Sequence, residues 1–145
     1  MNDAVAAPAF DSLTVGDVVA EAAYHLTRDA LVRYAGASGD FNPIHYRDDV
    51  AASVGLPGVL AHGMLTMGIA VQPVVDWAGD GARVTDYQVR FTRPVVVDAA
   101  SGAEVGVTAK VGQLDAEART VRIDLTVTFN EATVLGKAQV RVALA

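Results

Sequence analysis

Residues 60–79 read LAHGMLTMGIAVQPVVDWAG. From Met64 to Val75 almost every position is apolar, and no polar stripe runs through the segment. Such a pattern predicts a helix buried on all sides, with Met64 and Met67 as core filler. Gly63 stands where that helix begins. Pro73 cannot donate to the carbonyl of Ile69, and its ring clashes there, so a kink or restart is expected near Gln72. The apolar run from Val59 to Val75 is interrupted by His62, Gln72 and Pro73. It is also short for a membrane span, which needs roughly 20 apolar residues.

Downstream the period changes to two. Tyr87, Val89 and Phe91 alternate with Asp86, Gln88 and Arg90. Val105, Val107, Ala109 and Val111 follow the same rule, as do Val121, Ile123, Leu125, Val127 and Phe129, and then Val134, Gly136, Ala138, Val140 and Val142. Four consecutive half-buried strands predict a meander-like antiparallel sheet with one solvated face. Upstream, Val18–Leu26 reads as an opening strand. Thr27 is an N-cap candidate for a helix from Arg28 to about Gly36, with Asp29 near its positive end. Asp48 and Asp49 open a short helix that Gly55 and Pro57 close. An apolar helix and a one-sided sheet give an α+β layer, the sheet curling round the helix.

The 145 residues suit one domain, placed at 11–145 after a flexible N-terminal arm at 1–10. The arm carries Asp3, no basic stretch, and Pro8 within its apolar run, which is unlike a signal peptide. Net charge is −6, from 11 basic and 17 acidic residues with no basic cluster. Nucleic acid and acidic membrane surfaces are therefore poor partners. Cysteine is absent, which excludes disulfides, thiolate metal sites and cysteine nucleophiles. A cytoplasmic protein is expected. The high apolar fraction hints at surface hidden in an oligomer.

Residues 39–45, GDFNPIH, carry the densest chemistry. Asn-Pro is a turn signal, and Asn42 before Pro43 is pushed out of the α region. Asp40 and His45 therefore flank a bend that can aim both side chains into one cleft. An acid and an imidazole together can take one proton and deliver another. The bland reading is a helix-ending turn with a histidine nearby by accident. Two ligands make a poor zinc site, so no metal is expected.

Gly63 is the second candidate. A helix N-terminus presents unpaired N–H groups, and glycine lets a ligand approach them closely. Its N–H could hold a carbonyl oxygen that becomes an enolate. The alternative is that Gly63 only lets the helix pack tightly. His25 reads as a surface residue, and His62 as a cap or a lining of the helix mouth. Arg90 and Arg93 suit either a phosphate or a solvated strand face. The serines lack a nucleophile-elbow context.

Taken together, GDFNPIH, AHGMLTMG and YQVRFTRPV in this order resemble the MaoC-like hydratase/dehydratase family. The likeness runs from SLTVGDVV to the last strand. TRDALVRYAGASGD and LGKAQVRVALA bring it nearest to the catalytic subunits of heterodimeric (3R)-hydroxyacyl-acyl-carrier-protein dehydratases of type II fatty acid synthesis. The resemblance implies a single hot-dog domain, an antiparallel sheet wrapped round a long buried helix. It implies 3-hydroxyacyl or trans-2-enoyl thioester substrates, and the D-x-N-P-x-H motif is complete in Asp40, Asn42, Pro43 and His45. The family's glycine oxyanion donor falls on Gly63, and Asn42 would brace the loop or a water. Some relatives carry a serine near the acid where this chain has Val71, and Gln72-Pro73 is a further departure.

The implied reaction is reversible dehydration, with His45 taking the C2 proton and Asp40 protonating the 3-hydroxyl. A dry pocket under the helix would raise the pKa of Asp40, which suits a proton donor. No cofactor is expected beyond the phosphopantetheine of an acyl carrier protein, or the CoA, that carries the substrate. Alternatives are an (R)-specific enoyl-CoA hydratase, a hot-dog thioesterase and a non-catalytic hot-dog subunit. The implied assembly is a homodimer, or a heterodimer with another hot-dog subunit.

Overall fold

A computed structural model describes residues 6–145 of the chain. In order along it lie β1 (Val18–Leu26), α1 (Arg28–Ser38), α2 (Asp48–Ser53), α3 (Gly63–Ala78), β2 (Val84–Phe91), β3 (Ala103–Asp115), β4 (Thr120–Phe129) and β5 (Ala132–Ala143). The strands form one antiparallel sheet in the order β1-β3-β4-β5-β2. This is the α+β hot-dog arrangement the sequence implies. No helix among the described residues is long and apolar enough to cross a membrane.

The inner face of the sheet is built from the alternating valines. Val105, Val107, Ala109 and Val111 of β3 and Val121, Ile123, Leu125 and Val127 of β4 are all buried. In β5 the alternation slips. Both neighbouring strands show a register shift beside Gly136 and Lys137, and Lys137 has φ 45°. A bulge of this kind inserts one residue and changes the phase of the strand. Leu135 is therefore buried where the strict alternation had placed Gly136.

Two expectations about the sheet need correction. Strands β3, β4 and β5 do form a meander, but β2 does not join β3; it crosses to the far edge, beside β5. Alternation fixes which face of a strand is buried, not which strand lies next to it. Phe91, the last residue of β2, is 56% exposed rather than inward-facing. The arm assignment also shifts. Phe10 is buried in a short 3₁₀ turn, with the Arg119 guanidinium 4.8 Å above its ring. Residues 1–5 of the expected arm lie outside the described residues.

Helix α3 lays Thr66, Ala70, Pro73, Val74 and Ala78 against the sheet. The alanines let the two layers approach closely, and the Tyr87 hydroxyl crosses from β2 to donate to the Met67 carbonyl at 2.7 Å. The helix runs unbroken through Pro73, against the expected restart near Gln72. Losing one hydrogen bond to a proline costs about 3 kcal/mol. Burying a side chain the size of Val74 returns about 1.5–3 kcal/mol, and Pro73 is itself part of the buried face. Nor is the helix covered on all sides. Met64, Gly68, Gln72 and Asp76 form an exposed row, so Met64 is not core filler. One sheet supplies one covering layer, and the far side of α3 has none among the described residues.

Candidate active site

The site begins where α1 ends. Gly39 takes a left-handed conformation (φ 78°), and its N–H returns to the Ala35 carbonyl at 2.9 Å. That turn releases the chain into the GDFNPIH loop. Asp40 is held by its own neighbours: its N–H donates to Ser38 Oγ at 3.1 Å, and its Oδ1 accepts from the Asn42 N–H at 3.1 Å. Asn42 Oδ1 in turn accepts from the Ile44 N–H at 3.3 Å and caps a 3₁₀ turn over Pro43–His45. Asn42 thus braces the loop.

This scaffold turns Asp40 and His45 toward each other, with Asp40 Oδ2 lying 3.9 Å from His45 Nε2. That is too long for a direct hydrogen bond, but one oxygen atom roughly 2.8 Å from each would fit between them. His45 is buried, and its Nδ1 lies 2.7 Å from the Leu60 carbonyl. A carbonyl only accepts, so Nδ1 carries the hydrogen and Nε2 presents its lone pair. The Leu60 backbone is itself fixed, since its N–H donates to Ile44 O at 3.1 Å and it bridges to Val96.

Gly63 opens α3 beside this pair. His45, Gly63, Thr66, Phe91, Arg93 and Leu135 are among the residues lining one cleft of about 320 Å³. Among the described residues no backbone carbonyl accepts from the Gly63 N–H. A Cβ at Gly63 would stand 2.9 Å from Cε1 of Phe91, so the ring closes over the glycine and would have to shift to admit a side chain. Exposed Phe91 is therefore a wall of the cleft, which strand periodicity alone did not reveal. Arg93 lies at the rim, donating to the Thr133 carbonyl at 3.0 Å.

Two expectations about the site are corrected. Asp40 is not in a dry pocket, because its side chain is 51% exposed in the single chain. The third potential metal ligand, missing from the motif, is supplied in space by His62: one ligand atom from each of Asp40, His45 and His62 lies within 4.8 Å of the others. The His45 and His62 rings stack at 3.9 Å with 23° between their planes, so their in-plane lone pairs run side by side and do not converge on one ion. His62 is buried, and burial lowers its pKa; the adjacent His45 adds to this, while its bond to the Asp40 carbonyl opposes it. His25 is on the surface, paired with Glu104 at 2.9 Å. Val71 packs against the core, and the loop's own hydrogen bonds hold the acid.

Comparison with known proteins identifies the family. Residues 11–130 match the MaoC-like domain model. The chain belongs to the MaoC-like domain family. It is 37% identical over 84 residues to the 3-hydroxyacyl-thioester dehydratase X of Mycobacterium tuberculosis, covering 58% of this chain and 29% of that protein. A solved MaoC-like dehydratase superposes with a TM-score of 0.93 at 40% identity, covering 96% of this chain and 43% of that one. An R-hydratase from Pseudomonas aeruginosa superposes with a TM-score of 0.78 at 25% identity, covering 94% and 86%. The chain thus spans under half the length of the first two.

Proposed function

We propose that this protein adds water to, and removes it from, the C2–C3 bond of (3R)-hydroxyacyl and trans-2-enoyl thioesters. The observation that carries this reading is the 3.9 Å gap between Asp40 Oδ2 and His45 Nε2, with His45 lining the same cleft as Gly63, whose N–H no backbone carbonyl among the described residues accepts. In the dehydration direction the thioester oxygen accepts from the Gly63 N–H, which stabilises the enolate as charge develops. His45 Nε2 takes the C2 proton. The Asp40 carboxyl gives its proton to the 3-hydroxyl as the C3–O bond breaks, and water leaves. The proton on His45 returns to Asp40 through the departing water. Hydration is the reverse.

The dehydratase and hydratase names among the relatives support a hydro-lyase. A thioesterase would need a carboxylate aimed at the carbonyl carbon, whereas the 3.9 Å separation of Asp40 and His45 supports an acid and a base that span adjacent carbons. The substrate carrier is an acyl carrier protein in fatty acid or polyketide assembly. CoA is the second reading, favoured by Arg93 at the cleft rim, where a phosphate could meet it. A second hot-dog domain as partner is supported by the greater length of two relatives and by the uncovered side of α3. The test is turnover of crotonyl and longer enoyl thioesters, each presented on CoA and on a carrier protein. Hydration of neither series would reject the proposal, and a preference between them assigns the carrier.

A further inference from the structure

His62 takes no part in the proton transfers described above, yet it touches both residues that do. Its Nε2 lies 3.1 Å from the Asp40 backbone carbonyl, and its ring stacks on His45 at 3.9 Å. The Tyr34 ring packs against it in an edge-to-face arrangement, with centroids 4.8 Å apart. Its Nδ1 is buried with no hydrogen-bond partner among the described residues. We propose, resting on the hydro-lyase reading, that His62 is a positioning residue that locks the acid and the base into one register and does so as a neutral ring.

The hydrogen-bond chemistry fixes the tautomer. The Asp40 carbonyl can only accept, so Nε2 is the protonated nitrogen and ties the loop that carries the acid to the start of α3. The ring face does the second task. His45 is held in its own plane by Leu60, but that bond alone lets the imidazole swing about it. The His62 face blocks the swing on one side. Neutrality follows from the surroundings. The groups facing His62 are Asp40 from the loop, His45 from the 3₁₀ turn and Tyr34 from α1. A proton on Nδ1 would find no acceptor, and it would place a cation against the ring that must itself become one. A neutral π face instead favours the imidazolium that forms on His45.

The chain has three histidines, so imidazole NMR resolves each ring, with His25→Gln and His62→Phe giving the assignments. In the wild-type protein, His62 should show the Nε2–H tautomer and remain neutral at the ordinary imidazole value of about pH 6.5. His45 should show Nδ1–H alone and become a mixture of tautomers in His62→Ala. With crotonyl-CoA, His62→Ala should lose roughly 10²-fold in kcat with KM nearly unchanged. His62→Phe, which keeps the ring face but not the bond, should fall between it and wild type. Should His62→Ala not fold, His62→Phe decides alone through the same kcat loss. Protonation of His62 at or above about pH 6.5, an unchanged His45 tautomer, or undiminished kcat in the variants would each overturn the proposal. If wild-type protein hydrates the thioester on neither CoA nor a carrier protein, the hydro-lyase reading fails instead, and the NMR readouts still judge the role of His62.

Discussion

The two ends of α3 open onto cavities of nearly equal size, about 320 Å³ at Gly63 and about 310 Å³ at Gly79. Their chemistry is opposite. At the C-terminal end Gly79 (φ 76°) turns its N–H back onto Val75 and Asp76, closing the last carbonyls. Asp80 accepts from the Ala82 N–H at 2.9 Å, and Asp76 accepts from Gln72 at 2.9 Å. That cavity is lined by two carboxylates at the negative end of a helix, a poor place for a developing oxyanion. At the N-terminal end no backbone carbonyl among the described residues accepts from the Gly63 N–H, and Gly63 lines the same cleft as His45. Volume does not distinguish the two cavities. Unspent hydrogen-bonding capacity does.

The largest effects should fall at the N-terminal end. Asp40→Asn and His45→Ala should each lower kcat by roughly 10²–10⁴-fold, and the double variant should be little worse than either, because the two act as a unit. Asp76→Asn and Asp80→Asn, the matching lesions at the other end, should leave kcat alone; steady-state kinetics on all five variants would break the comparison if they did not.

Next is the helix donor. Proline is tolerated at the first helical position, and His62 already has the extended conformation that precedes it (φ −59°, ψ 130°). Gly63→Pro in a Phe91→Ala background, which removes the clashing ring, should cost roughly 10²–10³-fold in kcat relative to Phe91→Ala alone. An equal rate would remove Gly63 from the mechanism. Gly79→Ala forces a side chain into the left-handed region and should destabilise the fold by about 1–2 kcal/mol in denaturant melts, with kcat unchanged.

The smallest effect is on stability against pH. Because burial depresses the pKa of His62, the unfolded chain binds the proton more readily than the folded one. The stabilisation is fully present above the unfolded value of about 6.5 and is lost as pH falls below it, with a slope of at most about 1.4 kcal/mol per pH unit. Chemical melts across pH 5–8 should show that slope in wild type and a shallower one in His62→Phe.

Much of the N-terminal end was legible in sequence. The bend at Asn42-Pro43 announced that Asp40 and His45 could converge, and a glycine ahead of an apolar run announced the donor. Both signals are local, set by turn chemistry within a few residues. What escaped depended on distant partners. His62 does stand at the cap position its reading as a cap or a lining of the helix mouth gave it, but nothing in AHG says that its ring will stack on a histidine from another turn. Phe91 looked like a core residue because alternation cannot show that β2 ends at the rim of the cleft. The unbroken passage through Pro73 was hidden for the same reason: the packing that offsets its lost hydrogen bond comes from the sheet. The β5 bulge displaced Gly136 from the inner row without any break in the sequence pattern.

The most direct test of the central claim is the fate of a trans-2-crotonyl thioester incubated with the protein in D₂O, followed by mass spectrometry and chiral analysis. Water addition across C2–C3 by the Asp40–His45 pair predicts an intact thioester that gains an (R)-hydroxyl at C3 and one deuterium at C2. Release of free thiol with the double bond still in place would contradict it.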